Sequence, residues 1–337
     1  MINYYTGILS KLSVLKILNY LKLIAGFYYS RAINKPKQYG MPFSISIEPT
    51  TSCNLRCPQC PSGLREFTRP TGMLETSFFE KTISQLYSHL HSLTFYFQGE
   101  PYLNPDFLKM VKTASEKKIY TITSTNAHYL NEKNARDTVE SKLDKLIISV
   151  DGITQEVYEQ YRVGGSINKV IEGTKEILKQ KRLLKSKSPY VVWQFVVFKP
   201  NEHQVEAVKK LGKELGVDEV KIKTAQIYDF EHGNELIPEN ERYSRYRKNA
   251  DGNYIIKNEL LNQCWRMWQA CVITWDGQIV PCCFDKDAKY KIGQLEKQSF
   301  KEIWFSEKYD QFRRTILKGR NQIDICNNCT EGTKVWA

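Results

Sequence analysis

The sequence predicts an α/β protein, an open and partial (βα)6 barrel followed by a small cysteine-rich C-terminal domain. Between about residues 43 and 223, short β-branched or aromatic runs alternate with longer stretches of helical periodicity, which is typical of parallel βα units. Beyond that region the alternation stops, and six of the nine cysteines lie between Cys264 and Cys329. The two halves of the pattern therefore predict two kinds of structure.

Six strands and five intervening helices can be predicted from this alternation. The strands are expected at 43–47, 93–97, 120–124, 146–150, 191–198 and 220–223. The helices are expected at 76–90, 105–117, 131–141, 170–185 and 203–215, with Gly216 as a helix stop. Six βα units fall short of the eight that close a complete barrel, so we expect a TIM-like barrel that stays open.

We divide the chain into an amphipathic helical segment at 1–40, the barrel at 41–240 and the cysteine-rich domain at 255–337. The segment 8–24 has apolar residues at helical spacing, but Lys11, Lys16 and Lys22 interrupt it too often for a membrane span. It lacks the unbroken apolar run of a secretory signal, which predicts a cytoplasmic protein. Packing of this helix on its own domain is favoured, and peripheral contact with a membrane surface stays an alternative.

The charge balance narrows the class of partner. Lys and Arg number 49 against 37 Asp and Glu, a net charge of +12, which favours anionic partners. The basic residues follow helices as solvated faces and are not interleaved with aromatic residues, so no nucleic-acid partner is predicted. An anionic small molecule or an anionic membrane surface explains the balance equally well.

The loop after the first strand carries the clearest chemistry. Cys53, Cys57 and Cys60 are separated by three and then two residues, a compact spacing that suits an iron–sulfur cluster. Three thiolates leave one iron of a four-iron cluster open to a small molecule, as catalytic metal sites require. A zinc knuckle would need a fourth ligand nearby, and the nearest histidines, His89 and His91, are distant in sequence.

This loop, its position and the motifs that follow resemble the radical S-adenosylmethionine (radical SAM) superfamily. The resemblance implies a [4Fe–4S] cluster with three Cys ligands, whose open iron binds S-adenosylmethionine. It also implies reductive cleavage of S-adenosylmethionine to a 5′-deoxyadenosyl radical that abstracts hydrogen from a substrate. An electron donor such as flavodoxin or ferredoxin is expected. Gln59 departs from the family pattern, which commonly has an aromatic residue before the third cysteine.

Three later motifs resemble cofactor-binding elements of that family. The resemblance implies that S-adenosylmethionine contacts Gly99, Glu100, Ser124, Asn126, Ser149 and Arg162. A carboxylate such as Glu100 accepts hydrogen bonds from an ammonium group, and the fork of Arg162 suits a carboxylate. Each residue also has an ordinary structural alternative, such as a turn, a helix cap or a surface ion pair. No general base is assigned.

The C-terminal cysteines resemble the extension called SPASM or, in its four-cysteine form, twitch. The resemblance implies that Cys264, Cys282, Cys326 and Cys329 hold a second, auxiliary [4Fe–4S] cluster, although four cysteines also suit structural zinc. Cys271 and Cys283 remain, and either suits a buried thiol. Whether Cys282 or Cys283 is the ligand stays open, with Cys282 preferred for its spacing from Cys264.

Three functions follow from these patterns. A fully ligated auxiliary cluster suits electron transfer, so our first hypothesis is a two-electron oxidation, a dehydrogenation, of an anionic small molecule. The second is radical modification of a peptide or protein, which the short stretch before Cys53 disfavours because it leaves little room for a leader-binding domain. The third is a non-catalytic cysteine–zinc binding module.

Overall fold

The computed structural model of the chain describes residues 2–330, with side chains from residue 6 onward. The strands are β1 (Ser44–Ile47), β2 (Ser92–Thr94), β3 (Tyr120–Thr125), β4 (Lys145–Ser149), β5 (Tyr190–Val197), β6 (Glu219–Thr224), β7 (Tyr246–Lys248), β8 (Tyr254–Ile256), β9 (Ala270–Ile273), β10 (Gln278–Val280) and β11 (Gly293–Gln294). The last seven residues of the predicted C-terminal domain lie outside the described residues.

The helices follow the same chain order. They are α1 (Ile2–Ser10), α2 (Val14–Ile33), α3 (Pro61–Leu64), α4 (Thr76–Ser84), α5 (Phe107–Glu116), α6 (Glu132–Glu140), α7 (Gln155–Tyr161), α8 (Ile167–Leu183), α9 (Val205–Leu215), α10 (Arg266–Gln269), α11 (Phe300–Trp304), α12 (Glu307–Gly319) and α13 (Asp324–Asn327), with 3-10 turns at Pro101–Leu103, Lys199–Gln204 and Arg320–Gln322. All six predicted strands and all five predicted barrel helices form.

The described chain folds into two compact units. The first contains 2–52, 67–122 and 260–330, and the second contains 53–66 and 123–259. This division joins the beginning of the barrel region to the cysteine-rich region. The sequence boundaries at 240 and 255 stay a prediction.

The first unit contains a mixed sheet in the order β11-β10-β9-β1-β2-β3, of which β3 contributes its first three residues. β1 pairs in parallel with β2 on one side and with β9 on the other, with Ile45 opposite Leu93 and Cys271. Ile45 and Leu93 are buried, so burial on this sheet explains the apolar runs seen in the sequence. The cysteine-rich region therefore extends the same sheet as the first barrel strand.

The second unit contains the parallel strands β4, β5 and β6 in that order, together with the antiparallel hairpin of β7 and β8. Trp193 on β5 is fully buried, and its indole N–H donates to Thr174 on α8 at 3.0 Å. α9 ends at Gly216, whose φ of +85° is the left-handed conformation that glycine adopts most easily. This confirms the predicted helix stop.

The N-terminal segment differs in one respect from the single helix expected at 8–24. It forms two helices, because the side chain of Ser13 accepts a hydrogen bond from the backbone N–H of Lys16 and caps the start of α2. On α2, Leu23 and Phe27 are buried in the first unit. Among residues 2–330, no helix combines the length and the apolar character that crossing a membrane requires.

Candidate functional site

The cysteine loop lies in the second unit and turns tightly around its second cysteine. The backbone N–H of Cys60 donates to the carbonyl of Cys57 at 3.2 Å, and Cys60 is the N-cap of α3, whose first residue is Pro61. Pro61 suits that position because the first helical residue needs no N–H donor. A local turn therefore brings the second and third cysteines of the loop close together.

Gly63 is needed for that turn, a role that we did not predict. A Cβ built on Gly63 would lie 2.5 Å from the backbone nitrogen and 2.6 Å from the backbone oxygen of Cys57, closer than real atoms approach. The backbone of α3 is thus pressed against Cys57, leaving no room for a side chain. Three thiol donors on one compact loop fit the three-Cys ligand set of an open [4Fe–4S] cluster.

Arg162 lies beside this loop. Its Nη1 is 3.8 Å from the sulfur of Cys57, and its Nε and Nη2 are each 2.6 Å from Oδ2 of Asp151. Asp151 is fully buried, and its Oδ1 accepts from the backbone N–H of Val196 at 2.8 Å. The structure therefore brings Arg162 and Cys57 together and adds Asp151, which belonged to a quoted motif but was not a predicted site residue.

Burial and charge act in opposite directions on these groups. Burial raises the pKa of the Cys57 thiol, and Arg162 lowers it in part. Burial also lowers the pKa of Arg162, but the charges of Asp151 and Cys57 outweigh it and hold that pKa well above its ordinary value. The guanidinium thus remains a fixed positive charge next to the loop.

Asn126 also contacts the loop. Its Nδ2 donates to Oδ1 of Asn54 at 2.8 Å. Two residues further on, Nδ1 of His128 contacts the carbonyl of Asn126 at 2.9 Å, and Nε2 accepts from the backbone N–H of Ser166 at 2.8 Å. Burial lowers the pKa of His128, which favours the neutral ring that this pair of contacts requires.

Three further residues complete the second unit's part of the site. Ser124 and Ser149 lie at the carboxyl ends of β3 and β4, where ligands gather in parallel α/β folds. At the position that departs from the family pattern, Oε1 of Gln59 accepts from the backbone N–H of Tyr228 at 2.9 Å. Gln59 thus ties the cysteine loop to the segment after β6.

Gly99 and Glu100 belong to the first unit. Gly99 has a φ of +73°, and a Cβ there would lie 2.3 Å from the carbonyl oxygen of Thr50, so only glycine fits. The backbone N–H of Glu100 donates to the carbonyl of Ser52 at 2.8 Å, and its side chain is buried. This element therefore packs against the segment that leads to Cys53.

The C-terminal cysteines lie in the first unit, in two different surroundings. Cys264 and Cys326 are members of one buried cluster with Trp268, and Cys282 packs against that cluster. Cys283 packs instead against Phe97, Val272 and Val280. Within residues 2–330, no three side chains of His, Cys, Asp or Glu form a group that could hold a single metal ion.

Arg320 lies among these cysteines and was missed from the sequence. It is 2% exposed, its Nη1 donates to the carbonyl of Gln263 at 2.9 Å, and its Nη2 is 3.3 Å from the sulfur of Cys329. Burial lowers its pKa, but Cys264, Cys329 and Cys326 raise the pKa by more. A buried cation beside three thiols fits an anionic thiolate-bound cluster.

The two remaining cysteines behave as buried or packed thiols. Cys271 lies on β9 and burial raises its pKa, which keeps it protonated. A hydrogen bond with Cys283, together with burial, raises the pKa of Cys282. The choice of Cys282 over Cys283 stays a prediction, and the packing of Cys282 near Cys264 and Cys326 supports it.

Two family models match the chain. Residues 47–211 match the radical SAM superfamily, and residues 264–330 match SPASM, an iron–sulfur cluster-binding domain. The first span includes the cysteine loop and all six predicted cofactor-binding residues. The second begins at Cys264 and ends one residue after Cys329.

Relatives and solved structures agree with these matches. The chain is 24% identical over 315 residues to the tungsten-containing aldehyde ferredoxin oxidoreductase cofactor-modifying protein of Pyrococcus furiosus, covering 85% of this chain and 86% of that protein. It is also 24% identical to the PqqA peptide cyclase of Gluconobacter oxydans, covering 88% and 84%.

Two solved structures have a similar fold. SuiB of Streptococcus suis bound to S-adenosylmethionine aligns with a TM-score of 0.64 and 14% identity, over 91% of this chain and 75% of that one. BtrN in complex with AdoMet and 2-DOIA aligns with a TM-score of 0.52 and 20% identity, over 86% and 94%. The predicted fold class, α/β with a partial barrel, is thereby confirmed.

The chain belongs to the radical SAM superfamily and carries a C-terminal SPASM domain. It is therefore an enzyme that uses a [4Fe–4S] cluster and S-adenosylmethionine, with auxiliary iron–sulfur binding in the SPASM domain. The third hypothesis, a non-catalytic zinc-binding module, is wrong.

Proposed function

We propose that this enzyme catalyses the two-electron oxidation, a dehydrogenation, of an anionic small molecule. The bound cofactors supply a radical that takes one hydrogen atom from the substrate and an acceptor for the second electron, while a proton leaves to solvent. The observation that carries the proposal is the buried Arg320 guanidinium beside Cys264, Cys326 and Cys329. A positive charge at the ligand sulfurs favours gain of an electron there, as an electron acceptor requires.

The cysteine inventory supports a single auxiliary cluster. Of the six C-terminal cysteines, Cys271 is a buried thiol with a raised pKa, and Cys283 packs in a separate apolar cluster. Four thiols then remain, Cys264, Cys282, Cys326 and Cys329, and four thiolates ligate one [4Fe–4S] cluster fully. With no open iron to bind substrate, this cluster suits electron transfer.

We assign S-adenosylmethionine binding in the second unit to Ser124, Asn126, Ser149 and Arg162. Arg162 and Asn126 contact the cysteine loop, and the other two lie at neighbouring strand ends. The guanidinium of Arg162, already held by Asp151, offers donors to the carboxylate of the methionine group. The assignment of Gly99 and Glu100 to the same cofactor stays a prediction.

The net charge of +12 supports an anionic substrate and an acidic electron donor. We propose a flavodoxin or ferredoxin as that donor, because electrostatic steering speeds encounter between oppositely charged proteins. The prediction of a cytoplasmic location agrees with such a donor, and fractionation of the native host would test it.

A second candidate is radical modification of a peptide. It is favoured by the names of two similar proteins, the PqqA peptide cyclase and SuiB, which has also been solved bound to its precursor peptide SuiA. The identities of 24% and 15% leave the substrate of this chain to experiment.

Anaerobic turnover separates the two candidates. The reduced enzyme is incubated with S-adenosylmethionine and either a panel of phosphorylated and carboxylated sugars, cyclitols and alcohols or candidate peptides, and products are identified by mass spectrometry. We expect one 5′-deoxyadenosine per product that is two hydrogens lighter, from a small molecule. A redox-neutral product, or a modified peptide with no small-molecule turnover, would contradict the proposal. A Cys283→Ser variant serves as the matched cysteine control.

A further inference from the structure

The outward face of α2 is apolar and exposed. Its large exposed residues recur every three or four positions and so share one side of the helix. They are Val14, Leu15, Leu18, Leu21, Tyr28 and Tyr29. Leu15, Leu18 and Leu21 are 59%, 50% and 54% exposed, respectively. A contiguous apolar surface of this kind marks an interaction site more often than chance exposure does.

The opposite face explains why the helix stays in place. Leu23 and Phe27 are buried, and the ring of Phe27 meets that of Trp268 edge-on, with centroids 5.3 Å apart. Ser30 on the same side accepts from the indole N–H of Trp268 at 3.2 Å. Since the inner face alone holds α2, the outer leucines are not needed for packing within the unit.

A groove continues this surface beyond the helix. It has a volume of about 670 Å³, and Leu15, Leu18 and Leu21 line one side of it. Phe305, at the end of α11, lines it as well, together with two lysines, Lys22 and Lys301. None of the described residues that line the groove is acidic.

The charge of this segment is entirely positive. Residues 1–47 contain six Lys and Arg and no Asp or Glu. Lys16 points inward, where its Nζ donates to the carbonyl of Lys118 at 2.6 Å, but Lys22 and Arg31 are exposed. An apolar stripe with exposed tyrosines and flanking cations is the pattern of helices that lie in the interface of an anionic bilayer.

We propose that the outward face of α2, with its adjoining groove, docks on an anionic lipid membrane surface. Leu15, Leu18 and Leu21 enter the acyl boundary, and Lys22 and Lys301 meet lipid phosphates. A second copy of the chain fits this face less well, because a two-fold contact would place Lys22 and its neighbours against the same positive charges. This inference is independent of the substrate and reaction proposed above.

Vesicle flotation of the full-length, anaerobically purified enzyme tests the proposal. We compare vesicles of phosphatidylcholine alone with vesicles of equal parts phosphatidylcholine and phosphatidylglycerol. The wild-type enzyme should float only with the anionic vesicles. The triple variant L15S/L18S/L21S should lose at least about tenfold in partitioning, because three leucines no longer enter the lipid. Lys22→Gln should lose about fivefold.

Leu183→Ser is the matched control, since Leu183 is 64% exposed on α8, outside this surface. It should float as the wild type does, and S-adenosylmethionine cleavage by all variants should match the wild type if they are folded. The proposal is overturned if the wild type does not bind anionic vesicles, or if the triple variant binds as well as the wild type. A wild-type dimer that the triple variant dissociates, with no vesicle binding, would assign this face to a second copy.

Discussion

The cysteine loop and the C-terminal cysteines each place an arginine beside a thiol, but the two arginines have different surroundings. Arg162 near Cys57 is held by the buried carboxylate of Asp151. Arg320 donates to the carbonyl of Gln263 and to the sulfur of Cys329, and three cysteines raise its pKa. A charge paired with a carboxylate holds geometry, whereas a charge directed at ligand sulfurs changes their affinity for an electron. The first region is thus suited to positioning a cofactor and the second to accepting an electron.

The largest contrast should come from removing one cysteine in each region. Cys57→Ala should reduce S-adenosylmethionine cleavage below detection, because the open cluster loses one of three ligands. Cys282→Ala should retain that cleavage but lose substrate oxidation by more than about 100-fold, exceeding the usual cost of an outer partner of a metal ligand. Quantifying 5′-deoxyadenosine and product separately checks both. Intact cleavage by Cys57→Ala would remove the catalytic assignment.

The adjacent pair Cys282 and Cys283 sharpens the ligand assignment. Cys282→Ser should lose about half of the bound iron, because one of two four-iron clusters loses a ligand. Cys283→Ser should retain the wild-type iron content, since Cys283 packs among Phe97, Val272 and Val280. Iron and sulfide analysis of anaerobic preparations measures the difference. The reverse result would exchange the roles of the two cysteines.

The Arg162–Asp151 pair should matter for folding as well as for binding. Asp151→Ala leaves the largely buried guanidinium without its carboxylate, which should lower the free energy of unfolding by about 3–5 kcal/mol and weaken S-adenosylmethionine binding. Denaturant unfolding and equilibrium binding measure the two effects. Arg136→Ala is the control, because its pair with Glu140 is exposed and should contribute less than about 1 kcal/mol. Equal losses in both variants would contradict the role of burial.

Arg320 should influence one cluster and not the other. Arg320→Leu should lower the reduction potential of the auxiliary cluster by on the order of 50 mV, since a charged hydrogen bond to a ligand sulfur is lost. A redox titration followed by electron paramagnetic resonance resolves the two clusters. Arg320→Lys should recover part of the shift. An unchanged auxiliary potential would leave Arg320 with a packing role only.

The smallest effect is expected at Gln59. Gln59→Ala removes the acceptor for the Tyr228 N–H at a partly exposed position, so stability should fall by about 1 kcal/mol or less. Hydrogen exchange at the Tyr228 amide should become faster, while the same variant leaves the C-terminal cysteines unaffected. Unchanged exchange would show that this hydrogen bond does not order the segment after β6.

Much of the local structure was readable from the sequence by itself. The six strands, the helix stop at Gly216 and the cysteine loop depend on periodicity and short spacings, which are properties of neighbouring residues. The break before α2 was missed because Ser13 is a cap only if Val14 starts a helix, and the pattern of 8–24 reads as continuous.

Only the tertiary structure showed which distant residues meet. The pairing of β9 with β1 joins segments more than 200 residues apart, and strand periodicity carries no information about the partner strand. Likewise Asp151 had no visible link to Arg162, nor Arg320 to Cys264, because burial and charge pairing depend on the folded arrangement. Gly63 was unremarkable in sequence, and the space denied to its Cβ exists only once α3 packs on Cys57. The sequence by itself thus determined the chemistry of the ligands, and folding decided which charges surround them.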